Sequence, residues 1–248
     1  MDLGLRGRRA AVAASSRGLG YACAAALAAE GARVALCARD RAGVDAAAAR
    51  LGDGAVPIVA DVSTPEGAAA FAEAAEAALG GVDILVTNAG GPPRGTVGEI
   101  TDLHAYADAF ALNALSAIAM CQVVLPGMRA RTWGRIVAIT SITVRQPAPD
   151  LVLSNTARAG LTGYLKTLAR EVAADGVTVN SLQPGLHLTE RLAGLGIDPA
   201  AAGAQIPAGF VGDPADFGAV AAFLCSDAAR YLTGVALPVD GGVAAGLQ

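Results

Sequence analysis

The chain has 248 residues, a formal net charge of -4 and 54% hydrophobic residues, and 59 of its residues are alanine. Only 16% of the residues are charged, so the composition excludes a disordered chain and shows no basic excess for nucleic-acid binding. We expect every apolar run of about 18 residues to be interrupted by glycine or charge, and therefore no membrane span.

The cysteines, the histidines and the N-terminal residues show no motif of a metal site or of secretion. The two histidines, His104 and His187, are far apart in the chain, and residues 1–5 lack the features of a signal peptide. We therefore expect a cytoplasmic protein with no metal site. The four cysteines, which have no close spacing and are expected to be small core residues, are Cys23, Cys37, Cys121 and Cys225.

Short apolar runs alternate along the chain with longer segments whose apolar residues recur at helical spacing. The predicted strands are 9–14, 33–38, 56–60, 83–87, 134–139, 177–182 and 235–239. The predicted helices are 18–30, 42–51, 65–79, 102–128, 153–174 and 213–225. This alternation predicts a single α/β domain over residues 1–248, with a doubly wound, Rossmann-like parallel sheet of about seven strands and helices on both faces.

One segment, residues 188–212, is irregular and rich in glycine, proline and alanine. Ligands of doubly wound sheets bind beyond the carboxyl ends of the strands, so a loose segment after the sixth strand is a candidate lid over a substrate. Its apolar residues indicate a hydrophobic ligand; they are Leu192, Leu195, Ile197, Ile206 and Phe210.

The first strand leads into the loop Ala14-Ser15-Ser16-Arg17-Gly18-Leu19-Gly20, which opens directly into a helix. Two glycines allow the backbone to approach a pyrophosphate, and the N–H groups at the start of a helix favour anions. The first glycine of the usual dinucleotide pattern is missing, because Ala14 stands in its place. By itself, the loop is also compatible with an ordinary strand–helix turn that requires glycine.

Polar motifs follow the later strands. Asn88-Ala89-Gly90 follows the fourth strand, Asn113 lies in the long helix, Ser141 ends the fifth strand, and Pro184-Gly185 ends the sixth. With the glycine loop, these motifs resemble the short-chain dehydrogenase/reductase family over essentially the whole chain. The nearest familiar members are proteins similar to 3-oxoacyl-ACP reductases.

The resemblance implies a role for each matching position. Ser141 would bind a substrate carbonyl and Asn113 would position a relay water; the alternatives are a strand-end cap and a buried amide. The implied cofactor contacts are Ser15, Ser16, Arg17, Gly18, Leu19 and Gly20 at the phosphates, Asp61 and Val62 at the adenine, Asn88, Ala89 and Gly90 at the adenosine ribose side, and Pro184, Gly185 and Thr189 at the nicotinamide.

The family's active centre also requires a Tyr-x-x-x-Lys pair, and the matching positions here are Ser154 and Arg158. Residues four apart share one face of a helix, so the two side chains still point together. A serine hydroxyl is a far poorer acid than tyrosine, and arginine is effectively always protonated. The ordinary proton donor is therefore missing, although Arg158 could still hold the nicotinamide ribose.

Two other residues are candidates for the substrate site. His187 follows Pro184-Gly185, where nicotinamide and substrate meet in this family, and Arg145 lies on the loop after Ser141. His187 could supply a proton and Arg145 could bind an acidic substrate. The alternatives are a surface histidine and a solvated loop charge.

The end of the second strand bears on cofactor choice. Members that prefer NAD carry an acidic residue there for the ribose hydroxyl, whereas this chain has Ala38 followed by Arg39, with Arg17 in the glycine loop. Two cations without a carboxylate favour NADP(H). The alternative is drift in composition, because 17 of the 18 basic residues are arginine and only Lys166 is lysine.

Two functions remain open at this point. One is an NADP(H)-dependent oxidoreductase that acts on a carbonyl or alcohol of a small molecule; the other is a nucleotide-binding protein that has lost redox chemistry, such as a cyclase, an isomerase or a non-catalytic binder. We also expect a homotetramer or a homodimer, because the resemblance implies pairing of the long helices. The alanines expected to form that helix-pairing face are Ala105, Ala109, Ala114 and Ala117.

Overall fold

The structure, a computed structural model that describes residues 2–247, contains one sheet of seven parallel strands. In chain order these are β1 (Arg9–Val12), β2 (Arg33–Ala38), β3 (Ala55–Val59), β4 (Ile84–Thr87), β5 (Gly134–Ile139), β6 (Val177–Pro184) and β7 (Ala236–Val239). Their order across the sheet is β3-β2-β1-β4-β5-β6-β7. The predicted doubly wound α/β fold is therefore confirmed.

Helices cover both faces of this sheet. They are α1 (Gly18–Ala29), α2 (Arg41–Leu51), α3 (Pro65–Leu79), α4 (Leu103–Phe110), α5 (Ser116–Ala130), α6 (Val152–Val172), α7 (Glu190–Gly194), α8 (Pro199–Gly203) and α9 (Pro214–Cys225). The helices α3, α5 and α6 share one core cluster, and α1 and α9 share the other.

Strand residues alternate between the two clusters, because successive side chains of a strand point to opposite faces. In β1, Ala10 and Val12 pack with α1 and α9, whereas Ala11 belongs to the cluster of α3, α5 and α6. Small residues bring helices close together: Gly218 of α9 lies against the backbone carbonyl of Ala22, where any Cβ would collide. The four cysteines are buried in the core, as predicted, and burial raises the pKa of each thiol.

The long helix predicted over 102–128 is instead two α-helices, α4 and α5, joined by a π-helical turn at Ala111–Leu115. The expectation that every long apolar run is interrupted is also wrong, because residues 109–126 contain neither glycine nor charge. By length and composition alone, Leu103–Ala130 could cross a membrane, and 44% of its most apolar 18-residue window is buried inside the protein. Much of that apolar surface therefore forms core contacts.

The alanines of this helix face the interior of the same chain. Ala114 and Ala117 belong to the main core cluster, and Ala109 packs with Leu153 of α6, beside a partly buried Ala105. The expectation that these alanines pair helices between subunits is therefore wrong for Ala109, Ala114 and Ala117, which are buried within the chain, and stays a prediction for Ala105. The three buried alanines allow close packing within one chain instead, and the assembly state stays a prediction.

The segment predicted as a loose lid contains two short helices, α7 and α8. Leu192, Ile206 and Val211 form a small buried cluster within it, whereas Leu195 and Phe210 are exposed. The segment thus packs on a core of its own and keeps three large apolar side chains on its surface, because Leu188 is exposed as well.

Candidate active site

The loop between β1 and α1 forms a tight cradle at the carboxyl edge of the sheet. Ala14 has φ +45° and Gly18 has φ +60°, both in the left-handed region. A Cβ at Gly20 would lie 2.7 Å from both Ala14 O and Asn88 Nδ2, two atoms that are hydrogen-bonded at 3.1 Å. The backbone around Gly20 leaves no room for a Cβ. Because the loop has no side chain there, a phosphate could approach the N–H groups at the start of α1 closely, as a dinucleotide cradle requires.

The conformation of Ala14 gives a prediction about stability. A left-handed conformation costs a residue with a Cβ roughly 1–2 kcal/mol, so Ala14→Gly should raise the free energy of unfolding by about 0.5–1 kcal/mol after the entropy cost of glycine is subtracted. Urea denaturation measures the change. The control is Ala13→Gly, which removes a buried methyl group from the neighbouring position and should destabilise the protein. A similar loss in both variants would contradict strain at Ala14.

The side chains of this loop have different roles. Ser15 Oγ donates to Val12 O at 2.7 Å and accepts from Cys37 N at 3.3 Å, and the Ser15 N–H donates to Cys37 O at 2.9 Å. Ser15 therefore joins β1 to β2, and both its hydroxyl and its N–H are already bonded within the chain. Leu19 packs against the core cluster of α1 and α9. Arg17 is exposed and pairs with Glu190 at 3.2 Å.

A cation that the sequence analysis missed lies at the mouth of this loop. Arg50, in the last turn of α2, donates to Ser16 O at 3.1 Å and stacks over the ring of Tyr21, 4.4 Å from its centroid. The exposed Arg39 lies nearby at the end of β2. No spacing rule predicts Arg50, because its approach to the loop depends on how α2 packs beside α1.

The predicted adenine pair follows β3. Hydrogen bonds from Ser63, aided by the charge of Arg39, lower the pKa of Asp61, so this carboxylate is ionised at neutral pH. Val62 is buried in the core cluster. The predicted positions Ala89 and Gly90 follow Asn88 at the end of β4, beside the cradle.

Asn113 lies in the π-helical turn, a feature that often marks functional sites. Its Nδ2 donates to Gly90 O at 2.9 Å, while its Oδ1 has no hydrogen-bond partner within residues 2–247. It borders a cavity of about 10 Å³ that Asn88 and Arg158 also line, close to the volume that one water needs. This geometry is compatible with the predicted role of Asn113 in holding a relay water.

Ser141 follows β5 and caps a short 3₁₀ turn. Its Oγ accepts a hydrogen bond from Thr143 N at 3.1 Å and shares one with Thr143 Oγ1 at 2.9 Å. The backbone N–H of Thr143 can only donate, whereas the bond between the two hydroxyls can run in either direction; when Thr143 is its donor, the proton of Ser141 is free for a carbonyl oxygen. Thr143, which the sequence analysis did not single out, thus orients the predicted carbonyl-binding group.

The pair that replaces Tyr and Lys lies on the buried face of α6. Arg158 donates from Nη1 to Ile139 O and to Thr140 O, each at 2.9 Å. Burial, together with the charge of Arg191, lowers the pKa of Arg158 to about 10. Ser154 is only 8% exposed, and its hydroxyl makes no hydrogen bond to the described part of the chain. Arg158 therefore holds the end of β5 beside Ser141, while Ser154 keeps its hydrogen-bonding capacity.

The end of β6 and the start of the segment predicted as a lid lie at this edge of the sheet. Gly185 packs tightly against Asp240, because a Cβ added at Gly185 would lie 2.8 Å from Asp240 Cα. The side chain of Thr189 lies beside Gly18 of the cradle. The predicted nicotinamide positions, Pro184, Gly185 and Thr189, are thus brought next to the predicted phosphate positions.

Comparison with known proteins identifies the family. A family model described as enoyl-(acyl carrier protein) reductase matches residues 13–244. The chain is 36% identical over 242 residues to the 3-oxoacyl-[acyl-carrier-protein] reductase FabG of Vibrio cholerae, covering 97% of this chain and 99% of that protein. It is 33% identical to human dehydrogenase/reductase SDR family member 4, covering 96% and 88%. The chain belongs to the short-chain dehydrogenase/reductase family.

Solved structures of short-chain dehydrogenases/reductases share this architecture. L-sorbose reductase from Gluconobacter frateurii, in complex with NADPH and L-sorbose, superposes with a TM-score of 0.92 at 34% identity and covers 100% of both chains. These relatives are named reductases, so the family carries oxidoreductase chemistry on a nicotinamide cofactor.

His187 is buried, so the alternative that it is a surface histidine is wrong. It is 6% exposed, its ring contacts Phe217 edge-on with centroids 5.2 Å apart, and its Nδ1 lies 3.2 Å from Gly185 O. Burial lowers the pKa of His187, so the ring is neutral at neutral pH. A buried neutral imidazole that donates to a backbone carbonyl is poorly suited to replace tyrosine as the acid.

Arg145 is held against the last two strands of the sheet. Its Nε donates to Gln183 Oε1 at 2.7 Å and its Nη2 donates to Ala236 O at 2.6 Å. It lines a cavity of about 200 Å³ together with Lys166 and Asn180. A role for Arg145 in substrate binding stays a prediction.

Proposed function

We propose that this family member is an NADP(H)-dependent oxidoreductase that acts on a carbonyl or alcohol group of a hydrophobic small molecule, with Ser154 and Arg158 in place of the usual Tyr and Lys. The observation that carries the proposal is Ser141. Its Oγ is held by hydrogen bonds with Thr143 N and Thr143 Oγ1, and it directly follows the two carbonyls that Arg158 binds, at the edge of the sheet that carries the cradle suited to a dinucleotide.

The chain's own residues divide the chemistry as follows. Bound NADPH would supply the hydride. Ser141 donates to the carbonyl oxygen, and the buried cation of Arg158 adds positive potential where negative charge develops on that oxygen, an effect that low dielectric strengthens. Ser154 offers a further hydroxyl to the same region. The exposed Leu195 and Phe210 of the lid support an apolar substrate.

A second function has an observation in its favour. The loss of the Tyr and Lys pair at Ser154 and Arg158 favours a protein that binds a nucleotide without redox turnover, such as a cyclase, an isomerase or a non-catalytic binder. A panel of ketones, diketones and quinones discriminates the two functions. A fall in NADPH absorbance with any member supports the oxidoreductase, whereas NADPH binding without turnover of any member favours the alternative.

Cofactor choice gives a prediction. NADPH should bind at least about tenfold more tightly than NADH, because the exposed Arg39, and Arg17 through the nitrogens that do not bind Glu190, can form charge-assisted hydrogen bonds to the 2′-phosphate. Arg39→Ala should weaken NADPH binding by about tenfold, and NADH binding little. Fluorescence titration measures both. The matched control is Arg41→Ala, two residues further on, where the arginine pairs with Asp45 instead. Equal affinity of the unmodified protein for both cofactors would contradict the prediction.

A further inference from the structure

An arginine of the lid lies in the candidate active site. The guanidinium of Arg191, from α7, lies directly on the backbone of Gly91, where a Cβ would collide with Nη1 and Nη2. Gly91 follows Gly90, whose carbonyl accepts a hydrogen bond from Asn113. Arg191 therefore reaches from the lid across the cleft to the loop after β4.

Arg158 lies near the same loop, because it lines a small cavity together with Asn113, which binds the carbonyl of Gly90. Nη1 of Arg158 is used by two backbone carbonyls, but its Nε and Nη2 make no hydrogen bond within residues 2–247. A guanidinium has five N–H donors in a planar fork, so three remain for a ligand. The charges of Arg158 and Arg191 are close enough to interact, and no carboxylate contributes to the pKa of Arg158.

The acid next to Arg191 does not neutralise it. Glu190 pairs instead with Arg17 of the glycine loop at 3.2 Å, and Arg191 forms no ion pair in the part of the chain that the structure describes. Arg158 is buried whereas Arg191 is exposed, and neither forms an ion pair with a carboxylate in the described part of the chain, so an anionic ligand between them would be stabilised by both charges.

We propose that Arg191 and Arg158 bind a carboxylate of the substrate, so that the substrate is an oxo acid and its product a hydroxy acid. Arg158 holds the carbonyls of residues 139 and 140, immediately before Ser141, so the anion lies beside the group that binds the reacting carbonyl. The cofactor's pyrophosphate has its own site at the start of α1. This inference rests on the proposed function.

The test compares each of two oxo acids, phenylpyruvate and 2-oxohexanoate, with its methyl ester. Isothermal titration of the full chain, with and without NADP⁺, measures binding; NADPH oxidation gives KM and kcat. At least one acid should bind more tightly than its ester. Arg191→Met should weaken the binding of that acid by at least about tenfold and leave the binding of its ester unchanged. The affinity of Arg191→Lys for the acid should lie between those of the unmodified protein and of Arg191→Met, since lysine keeps the charge but lacks the planar fork of donors.

Arg230→Met, which removes an exposed arginine on the turn after α9, is the matched control and should have no effect. The inference is overturned if neither acid binds better than its ester, or if Arg191→Met weakens NADPH and the acid equally, which would assign the anion to the cofactor's phosphates. Failure of the chain to bind NADPH at all would instead refute the proposed function, so the two failures are distinguishable.

Discussion

The unmodified protein should reduce simple ketones, 3-oxoacyl thioesters included, about 10²–10⁴-fold more slowly than a short-chain reductase with an intact proton relay, because a positioned general acid contributes a factor of that size. Ser154 can donate a hydrogen bond but is a poor acid. Arg158 has a pKa of about 10 and stays protonated at neutral pH. NADPH oxidation with a series of neutral ketones measures the rates. Turnover on the order of 10 s⁻¹, typical of enzymes in general, would contradict the prediction.

Restoring the missing pair provides the complementary arm of this experiment. Ser154→Tyr with Arg158→Lys should raise the reduction of neutral ketones by at least about tenfold, because tyrosine beside a cation regains a usable acid. The Lys replacement removes the two hydrogen bonds to Ile139 O and Thr140 O, so the double variant should also lose about 1–3 kcal/mol of stability. Arg158→Lys alone is the control, since it carries that loss of stability without the tyrosine.

Ser154→Ala decides how the unmodified site works. Ser154 is 8% exposed and makes no hydrogen bond to the described residues, so removing its hydroxyl should cost little stability. Loss of turnover would therefore identify the cluster of Ser141, Ser154 and Arg158 as the working site. Unchanged turnover would make Ser154 a bystander and assign the proton to another group.

The architecture could be predicted from the sequence, because strands buried between two layers of helices appear in the sequence as short apolar runs bounded by turns. Each predicted strand is present, with ends shifted by at most two residues. The break in the long helix was missed, since a π-helical turn changes hydrogen bonding without changing which residues are apolar. The alanine face was assigned to the wrong contact, because periodicity shows that a face is buried but not what buries it.

The candidate site was predictable only where residues belong to a local motif. Gly18 and Gly20, Ser141 and Ser154 could all be located from spacing after a strand. Arg50 and Arg191 could not be, because they acquire their contacts through packing; the position of His187 was predicted but its burial was not, and the local contact of Thr143 with Ser141 was missed. Arg191 in particular lies about a hundred positions from Gly91 in sequence, and its place in the cleft depends on how the lid folds over the sheet.

The cradle itself can be tested at a single position. In Gly20→Ala, the added Cβ would lie 2.7 Å from Ala14 O and Asn88 Nδ2 and 3.2 Å from Ser15 Cα. Two of these contacts are with backbone, so the loop must move away from the start of α1. Losing two charge-assisted hydrogen bonds of about 1.5 kcal/mol each to a pyrophosphate corresponds to about a hundredfold weaker NADPH binding.

Fluorescence titration with NADPH measures this loss, and thermal unfolding shows whether the fold survives. Gly163→Ala is the matched control, because a Cβ at that exposed position of α6 meets no atom within 4 Å. It should leave NADPH binding unchanged and stabilise the helix slightly. If Gly20→Ala binds NADPH as tightly as Gly163→Ala does, the loop is an ordinary strand–helix turn and the dinucleotide must bind elsewhere.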